Sequence, residues 1–198
     1  MTDFDLPTLD RAAFADQVAA YHRSFGKDFW RLLWTAVAEL ASGKPIRPER
    51  LAVRARVPLD RTLAIARDAW EWDARGERLI GAGLTSLATP YRVDIDDRTM
   101  WTYCAPDTLQ LPVMLGKPVY THSSCAATSD PIRVHATPTG MESIDPASTV
   151  VSFPNPSLRP GLTNVRQLSC EQSSFYRNAR RVRQSLPVRG ETLGARGG

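Results

Sequence analysis

The chain of 198 residues has little cysteine, little histidine and no long apolar run. It contains three cysteines and three histidines. So small and odd a number of cysteines argues against a disulfide framework and favours free thiols in a reducing compartment. No apolar stretch approaches the roughly 20 residues that span a bilayer, and the acidic start, MTDFDLPTLD, lacks the apolar core of a signal peptide. We therefore expect a cytoplasmic protein with no membrane partner.

Excess positive charge is also missing from most of the chain, although the formal net charge is +4. Residues 1–100 carry 15 basic and 15 acidic side chains, and residues 101–175 carry 4 and 5. Residues 176–198 carry six arginines and one glutamate. The near-neutral body gives no electrostatic support for nucleic-acid binding, so we expect no nucleic-acid partner.

Apolar periodicity divides the chain into a helical part and a strand-rich part. Helical spacing covers residues 9–23 and 28–41, and residues 47–76 are predicted to form a helix, a turn and a second helix. The run TLQLPVML, after Asp107, is predicted to form a short helix interrupted by Pro112. Short strands are predicted at Leu79–Gly83, Leu84–Leu87, Tyr91–Ile95, Met100–Tyr103, Pro118–His122, Ile132–Ala136, Thr149–Phe153 and Asn164–Cys170.

The predicted fold class is α+β, with a winged-helix-like N-terminal region followed by a mixed β-sheet catalytic domain. We place the helical region at residues 1–80 and the sheet domain at residues 81–176. Residues 177–198 are rich in Arg and Gly and are predicted to be disordered. A winged helix also suggests a transcription regulator, but the candidate recognition helix, Leu59 to Trp72, is not clearly basic.

All three cysteines lie in short segments that combine soft ligands with a proton-transferring group. The segments are WTYCAPD around Cys104, SSCAAT around Cys125 and VRQLSC ending at Cys170. Thiolates bind soft metals, and the carboxyl group of Asp107, three residues after Cys104, can accept or supply a proton. These two abilities suit a reaction that breaks a metal–carbon bond and releases the carbon protonated.

The three segments resemble the alkylmercury (organomercurial) lyases, whose core runs Cys-Ala-x-Asp-Thr-Leu, Ser-x-Cys-Ala-Ala-Thr and Val-Arg-Gln-x-x-Cys. The likeness extends roughly from Pro45 to Cys170 and includes the upstream run GAGLTSLATPYRVDIDDRTMW. It implies protonolytic cleavage of the carbon–mercury bond of alkyl- and arylmercury compounds, giving a hydrocarbon and Hg(II) in mercury detoxification. It also implies that Cys104 and Cys170 hold the mercury as thiolates beside Asp107, which moves the proton.

Each site residue also has a purely structural interpretation. Cys104 is predicted at a strand-to-helix junction, where the helix N-terminus would lower its thiol pKa, but a buried structural cysteine has the same sequence signature. Asp107 also fits a helix-start carboxylate, and Cys170 an ordinary strand-end cysteine. Cys125 is predicted to be structural, and its spacing from His122 is only a weak zinc signal.

The resemblance implies no organic cofactor, because mercury enters as part of the substrate. Cellular thiols or a mercuric reductase would accept the Hg(II). The unusual basic tail leaves a second interpretation open, an inactive protein that binds mercury or another soft metal through its thiols. A winged-helix transcription regulator is the third.

Overall fold

The computed structural model describes residues 11–153 and 170–185. Its α-helices are α1 (Arg11–Ser24), α2 (Gly26–Leu40), α3 (Pro48–Ala55), α4 (Leu59–Ala69), α5 (Ala105–Leu115) and α6 (Ala179–Ser185). Its strands are β1 (Glu71–Trp72), β2 (Leu79–Ala82), β3 (Leu84–Thr85), β4 (Arg92–Ile95), β5 (Arg98–Thr102), β6 (Val119–Ser124), β7 (Pro131–Thr137), β8 (Gly140–Asp145), β9 (Val150–Val151) and β10 (Phe175–Tyr176).

The helices begin and end where local chemistry predicts. Pro48 occupies the first turn of α3, where a missing N–H costs nothing, and Pro58 immediately precedes α4. Between them Arg56 adopts a left-handed conformation and ends α3. Helix α5 continues through Pro112 to a left-handed Gly116, so the predicted interruption is wrong. Pro112 removes one backbone donor, but burial of the residue holds the helix together.

Eight strands form one sheet in the order β1-β2-β3-β5-β4-β6-β7-β8, and β9 pairs with β10 separately. Every described pairing is antiparallel, so the prediction of a mixed sheet is wrong in this respect. Most neighbouring strands are joined by short turns, which favour antiparallel pairing. The α5 crossover joins β5 to β6, but β4 lies between these two strands and pairs with both.

Strand β8 is absent from the sequence-based prediction because most of its side chains are exposed, which leaves no apolar alternation to detect. The predicted strand Asn164–Cys170 falls largely outside the described residues. Cys170 itself begins a three-residue 3-10 helix, Cys170–Gln172, rather than ending a strand.

One buried cluster joins the helical layer to the sheet. It contains Phe29, Leu32, Val37, Leu40, Leu51, Val57, Ala66 and Trp70 from the helical part, and Leu79, Ala82, Leu84, Val93, Ile95, Met100, Leu111 and Val119 from the strands and α5. Burying a large apolar side chain stabilises the fold by about 1.5–3 kcal/mol, so this shared cluster binds the two layers firmly. The predicted boundary at residue 80 falls within β2, and the division into domains stays a prediction.

A second, smaller cluster lies under the C-terminal segment. It includes Tyr91, Ala105, Cys125, Ile132, Val134, Phe175 and Tyr176. Val182 of α6 is partly buried against it. Ala179–Ser185 thus form a helix where disorder was predicted. Polar contacts also hold the segment just before it, since the Ser148 hydroxyl donates to the Arg177 carbonyl and the Arg177 side chain contacts Asp130. Residues 186–198 lie outside the described part.

No helix within residues 11–153 or 170–185 has the length and apolar character needed to cross a membrane.

Gly81 is predicted to be essential to the packing beneath β2. A Cβ added there would lie 2.5 Å from a Glu71 carboxylate oxygen, 2.7 Å from the Tyr103 hydroxyl and 2.9 Å from Thr85 Cβ. Gly81→Ala should lower the free energy of unfolding by about 1–3 kcal/mol, because these atoms must shift. Urea denaturation measures the loss, and unchanged stability would show that the neighbours move freely. Gly81→Ala combined with Tyr103→Phe should lose less than the sum of the two single changes.

Candidate active site

Cys104 stands at the junction between β5 and α5, as the sequence predicts. It is the residue before the first turn of α5, and its backbone is extended (φ −154°, ψ 171°). Pro106 occupies that first turn, and the Thr102 hydroxyl donates to the Cys104 carbonyl at 3.0 Å. The thiol is 1% exposed, so its position is fixed by the fold rather than by solvent contacts.

Asp107 lies in the first turn of the same helix, where the free N–H groups and the helix dipole favour an acidic side chain. Its carboxyl group faces the backbone of Gly83, which has a left-handed conformation (φ +73°). A Cβ on Gly83 would lie 3.9 Å from the Asp107 carboxyl carbon and 3.7 Å from Leu33. The carboxyl group is therefore half-buried beneath α2 and the β2–β3 turn.

Cys170 comes from the distant C-terminal segment and completes the group. Its thiol donates to an Asp107 carboxylate oxygen at 3.9 Å. One potential ligand atom from each of Cys104, Asp107 and Cys170 lies within 4.8 Å of the other two. The structure thus brings together the three residues that the sequence selects, and their roles in a reaction stay a prediction.

Burial sets the protonation state of this group. It raises the pKa of Asp107 to about 6, although hydrogen bonds from the two thiols and from backbone N–H groups act in the opposite direction. Burial also raises the pKa of Cys104 well above its usual value, and contact with Cys170 and the Asp107 charge add to the effect. The expected lowering of the Cys104 pKa is therefore wrong, because desolvation outweighs the helix N-terminus.

These shifts make Asp107 the base of the group. Near neutral pH its carboxyl group is mostly ionised, whereas the Cys104 thiol keeps its proton until an electrophile displaces it. A soft metal that binds the sulfur releases that proton next to a carboxylate. The arrangement can take a proton from sulfur and return it to another atom nearby.

Cys125 lies outside this group. Its sulfur accepts the Arg177 N–H at 3.4 Å, and Ala126 donates to the Phe175 carbonyl at 2.9 Å. Burial raises the pKa of Cys125, but hydrogen bonds from Thr128 and from backbone N–H groups outweigh it and the net shift is downward. These contacts tie the SSCAAT loop to β10, and a structural role for Cys125 stays a prediction. The His122 ring contacts Asp94 at 3.1 Å instead.

Tyr91 also reaches the site, although its sequence pattern predicts only a strand residue. Its hydroxyl bonds the Ser173–Ser174 backbone and side chain, just after Cys170. No local signal could reveal a contact between residues more than 80 positions apart in the chain.

A groove of about 750 Å³ lies between α2 and α5. Its walls are mainly apolar, and Leu109 and Gln110 line it close to Asp107 in sequence. Trp30, Trp34 and Phe153 also line the groove.

Comparison with known proteins adds an independent line of evidence. Residues 84–191 match the family profile of MerB, alkylmercury lyase. The chain is 30% identical to the alkylmercury lyase of Pseudomonas putida over 172 residues, which cover 85% of this chain and 79% of that protein. The chain belongs to the alkylmercury lyase family. The resemblance predicted from the three cysteine segments is thereby confirmed.

A second alkylmercury lyase and a solved structure are also similar to this chain. The Streptomyces lividans alkylmercury lyase is 35% identical over 151 residues, covering 73% of this chain and 66% of that protein. A solved mercury-bound form of MerB2 has a similar fold, with a TM-score of 0.62 and 20% identity over 79% of this chain and 82% of that one. These matches support the combination of helices and an antiparallel sheet.

Replacing the Asp107 carboxyl group should stabilise the protein in a pH-dependent way. Its pKa lies near 6 in the folded protein against a usual 3.8, so the folded state binds the proton more tightly than the unfolded state. The native carboxyl group therefore lowers the free energy of unfolding very little below pH 4. This destabilisation grows as the pH rises through 6 and the carboxyl group ionises. Asp107→Asn should be about 2 kcal/mol more stable than the native protein at pH 7.5 and nearly equal to it at pH 4.

Urea unfolding of both proteins at the two pH values measures this difference. If Asp107→Asn were more stable by the same amount at both pH values, the destabilisation would not come from the buried charge of Asp107.

Proposed function

We propose that the protein is an organomercurial lyase that cleaves the carbon–mercury bond by protonation. The observation that carries the proposal is the meeting of two thiols and one carboxyl group within 4.8 Å. Family membership supports the reaction type. The raised pKa of Asp107, about 6, supports its role as the proton carrier, since a carboxyl group with that pKa can both accept and donate near neutral pH.

Capture of the substrate R–Hg–X begins at Cys104. A sulfur–mercury bond forms, the ligand X leaves, and the thiol proton passes to Asp107. The charge that burial makes costly on Asp107 is neutralised by this transfer, so the site favours it. Mercury then lies beside Cys170, which is close enough to Asp107 to donate a hydrogen bond to it.

Cleavage follows when Cys170 becomes the second sulfur ligand. Electron donation from two thiolates makes the mercury-bound carbon more basic, and Asp107 delivers its proton to that carbon. The carbon–mercury bond breaks, R–H leaves, and Hg(II) remains on the two sulfurs. Asp107 already holds the Cys104 proton when Cys170 binds, so the Cys170 thiol, which is only partly buried, loses its own proton to solvent as it binds mercury. The Cys104 proton thus ends on the hydrocarbon, and the Cys170 proton balances the charge of the X⁻ released earlier. No organic cofactor is needed for these steps.

Release requires thiols from outside the protein. Small cellular thiols or a mercuric reductase would exchange for Cys104 and Cys170 and carry away the Hg(II). The three cysteines are unbridged, which supports work in a reducing compartment, the cytoplasm. The same argument gives the protein a part in mercury detoxification.

A protein that merely binds mercury would need the two sulfurs but not a neighbouring carboxyl group whose ionised form is destabilised by burial. Partial burial of Asp107 therefore favours cleavage over storage. Both functions predict tight Hg(II) binding, and only cleavage predicts a hydrocarbon product.

We also propose that α3, α4 and the β1–β2 pair form a winged-helix-like unit, since two short helices joined by a tight turn precede an antiparallel pair. Its second helix, α4, carries Arg61 and Arg67 against Asp60 and Asp68, which gives little attraction for phosphate. A gel shift with duplex DNA at low salt should show no complex. A salt-dependent complex would revive the transcription-regulator interpretation.

Purified protein should release benzene from phenylmercuric acetate over many turnovers when a small thiol is in excess. Cys104→Ser should lower the rate at least about a hundredfold, because the hydroxyl is a hard, weak ligand for mercury. Headspace gas chromatography measures the benzene. Cys125→Ser, which changes a thiol outside the group, is the matched control and should keep most of the activity if the variant folds. Wild-type turnover by Cys104→Ser would refute the proposed capture step.

A further inference from the structure

Tyr91 reaches from the sheet to the segment that carries Cys170. Its hydroxyl donates to the Ser173 carbonyl at 3.1 Å and lies 3.0 Å from the Ser174 hydroxyl. The tyrosine is 9% exposed, and its ring lies 6.3 Å from that of Phe175. A hydrogen bond in such a dry environment competes little with water, so it can hold the segment in place.

The backbone N–H and carbonyl of Ser173 connect the two cysteine segments. Its carbonyl also accepts the N–H of Ala105, the residue after Cys104, at 3.5 Å. Its own N–H donates to the Cys170 carbonyl at 3.2 Å. The backbone of this one residue is thus bonded to Tyr91, to the start of α5 and to the turn that begins at Cys170.

Hydrogen bonds through Thr102 and Thr89 connect the backbone of Tyr91 to the backbone of Cys104. Thr102 donates its N–H to the Tyr91 carbonyl at 3.0 Å and its hydroxyl to the Cys104 carbonyl at 3.0 Å. The Thr89 hydroxyl bonds the Thr102 carbonyl at 2.7 Å and accepts the Tyr91 N–H at 3.1 Å. Tyr91 therefore links a fixed frame around Cys104 to the segment around Cys170.

Cys170 needs such a link because its own secondary structure is only a three-residue 3-10 helix. A turn this short cannot fix the sulfur by itself. Two sulfurs share one metal only if their separation is held closely.

We propose that Tyr91 is a positioning residue, whose hydroxyl holds the Cys170 segment at the distance from Cys104 that lets both sulfurs bind one mercury. This inference rests on the proposed function of the same site. Burial raises the pKa of Tyr91, and the nearby Cys104 and Cys170 act in the same direction, so the hydroxyl stays protonated and able to donate. Tyr91 touches neither substrate nor reacting atoms in this account.

Tyr91→Phe tests the proposal because it removes the hydroxyl and keeps the ring. Inorganic Hg(II) is the probe, and its affinity is measured by competition with a small dithiol. We expect affinity about tenfold weaker than wild type, since loss of one buried hydrogen bond loosens the second sulfur. Tyr176→Phe is the matched control, because it removes another hydroxyl from the same cluster at 8% exposure. It should bind Hg(II) as the wild type does.

A double-mutant cycle separates positioning from general damage to the fold. Cys170→Ser removes the sulfur through which Tyr91 is proposed to act. In that background Tyr91→Phe should cause no further loss of Hg(II) affinity. Wild-type affinity in Tyr91→Phe, or an equal tenfold loss in the Cys170→Ser background, would overturn the proposal.

Benzene release by the same proteins distinguishes this inference from the function on which it rests. Tyr91→Phe should lower kcat about tenfold, with Tyr176→Phe unchanged. If the wild type binds Hg(II) through both sulfurs and releases no benzene, the lyase proposal fails, and the Hg(II) affinities alone decide the role of Tyr91.

Discussion

The contact between the Cys170 thiol and the Asp107 carboxylate brings together two segments that lie 63 positions apart in the chain. It places a second thiol and a carboxyl group beside the buried Cys104, and both of these groups are themselves partly buried. Desolvation then raises the pKa of both Asp107 and Cys104, so the resting site holds a protonated thiol and a reluctant carboxylate. When a soft electrophile binds the Cys104 sulfur, the displaced proton can neutralise the Asp107 carboxylate, and the sulfur charge is shared with the metal. The proposed chemistry follows from this contact more than from any one residue.

The surrounding fold supplies the rigidity that the contact requires. Helix α5 fixes Cys104 and Asp107 three residues apart on rigid backbone, and the left-handed turn at Gly83 lets the β2–β3 connection approach the carboxyl group closely. Cys125 accepts the Arg177 N–H and Ala126 donates to the Phe175 carbonyl, and these two bonds anchor the chain beyond Cys170. The segments around Cys104 and Cys170 bring together two thiols and the Asp107 carboxyl group, and the segment around Cys125 contacts the chain beyond Cys170.

Local chemistry made part of this site predictable from sequence. The strand-to-helix junction at Cys104, the proline in the first turn and the acid three residues on are local features, and the structure has all three. The direction of the Cys104 pKa shift was not predictable, because it depends on how deeply neighbouring layers bury the thiol. Tyr91 also escaped notice, since its bonds reach Ser173 and Ser174 across most of the chain.

In the fold, too, local features could be predicted from the sequence and tertiary features could not. An amphipathic helix such as α2 can be predicted from the periodicity of its buried apolar face. Strand β8 is exposed on both faces and has no such pattern. The antiparallel arrangement depends on β4 entering between β5 and β6, a choice of strand order that no local sequence records. The short helix α6 depends on a tertiary contact of Val182.

In the proposed reaction, sulfur captures the organomercurial and Asp107 then protonates its carbon. Native mass spectrometry of a single turnover separates these steps, with one equivalent of phenylmercury mixed with wild-type protein and with Asp107→Asn. We expect the wild type to convert to a form carrying mercury alone, while Asp107→Asn accumulates the intact phenylmercury adduct. Conversion of Asp107→Asn to the mercury-only form at the wild-type rate would contradict the proposed reaction.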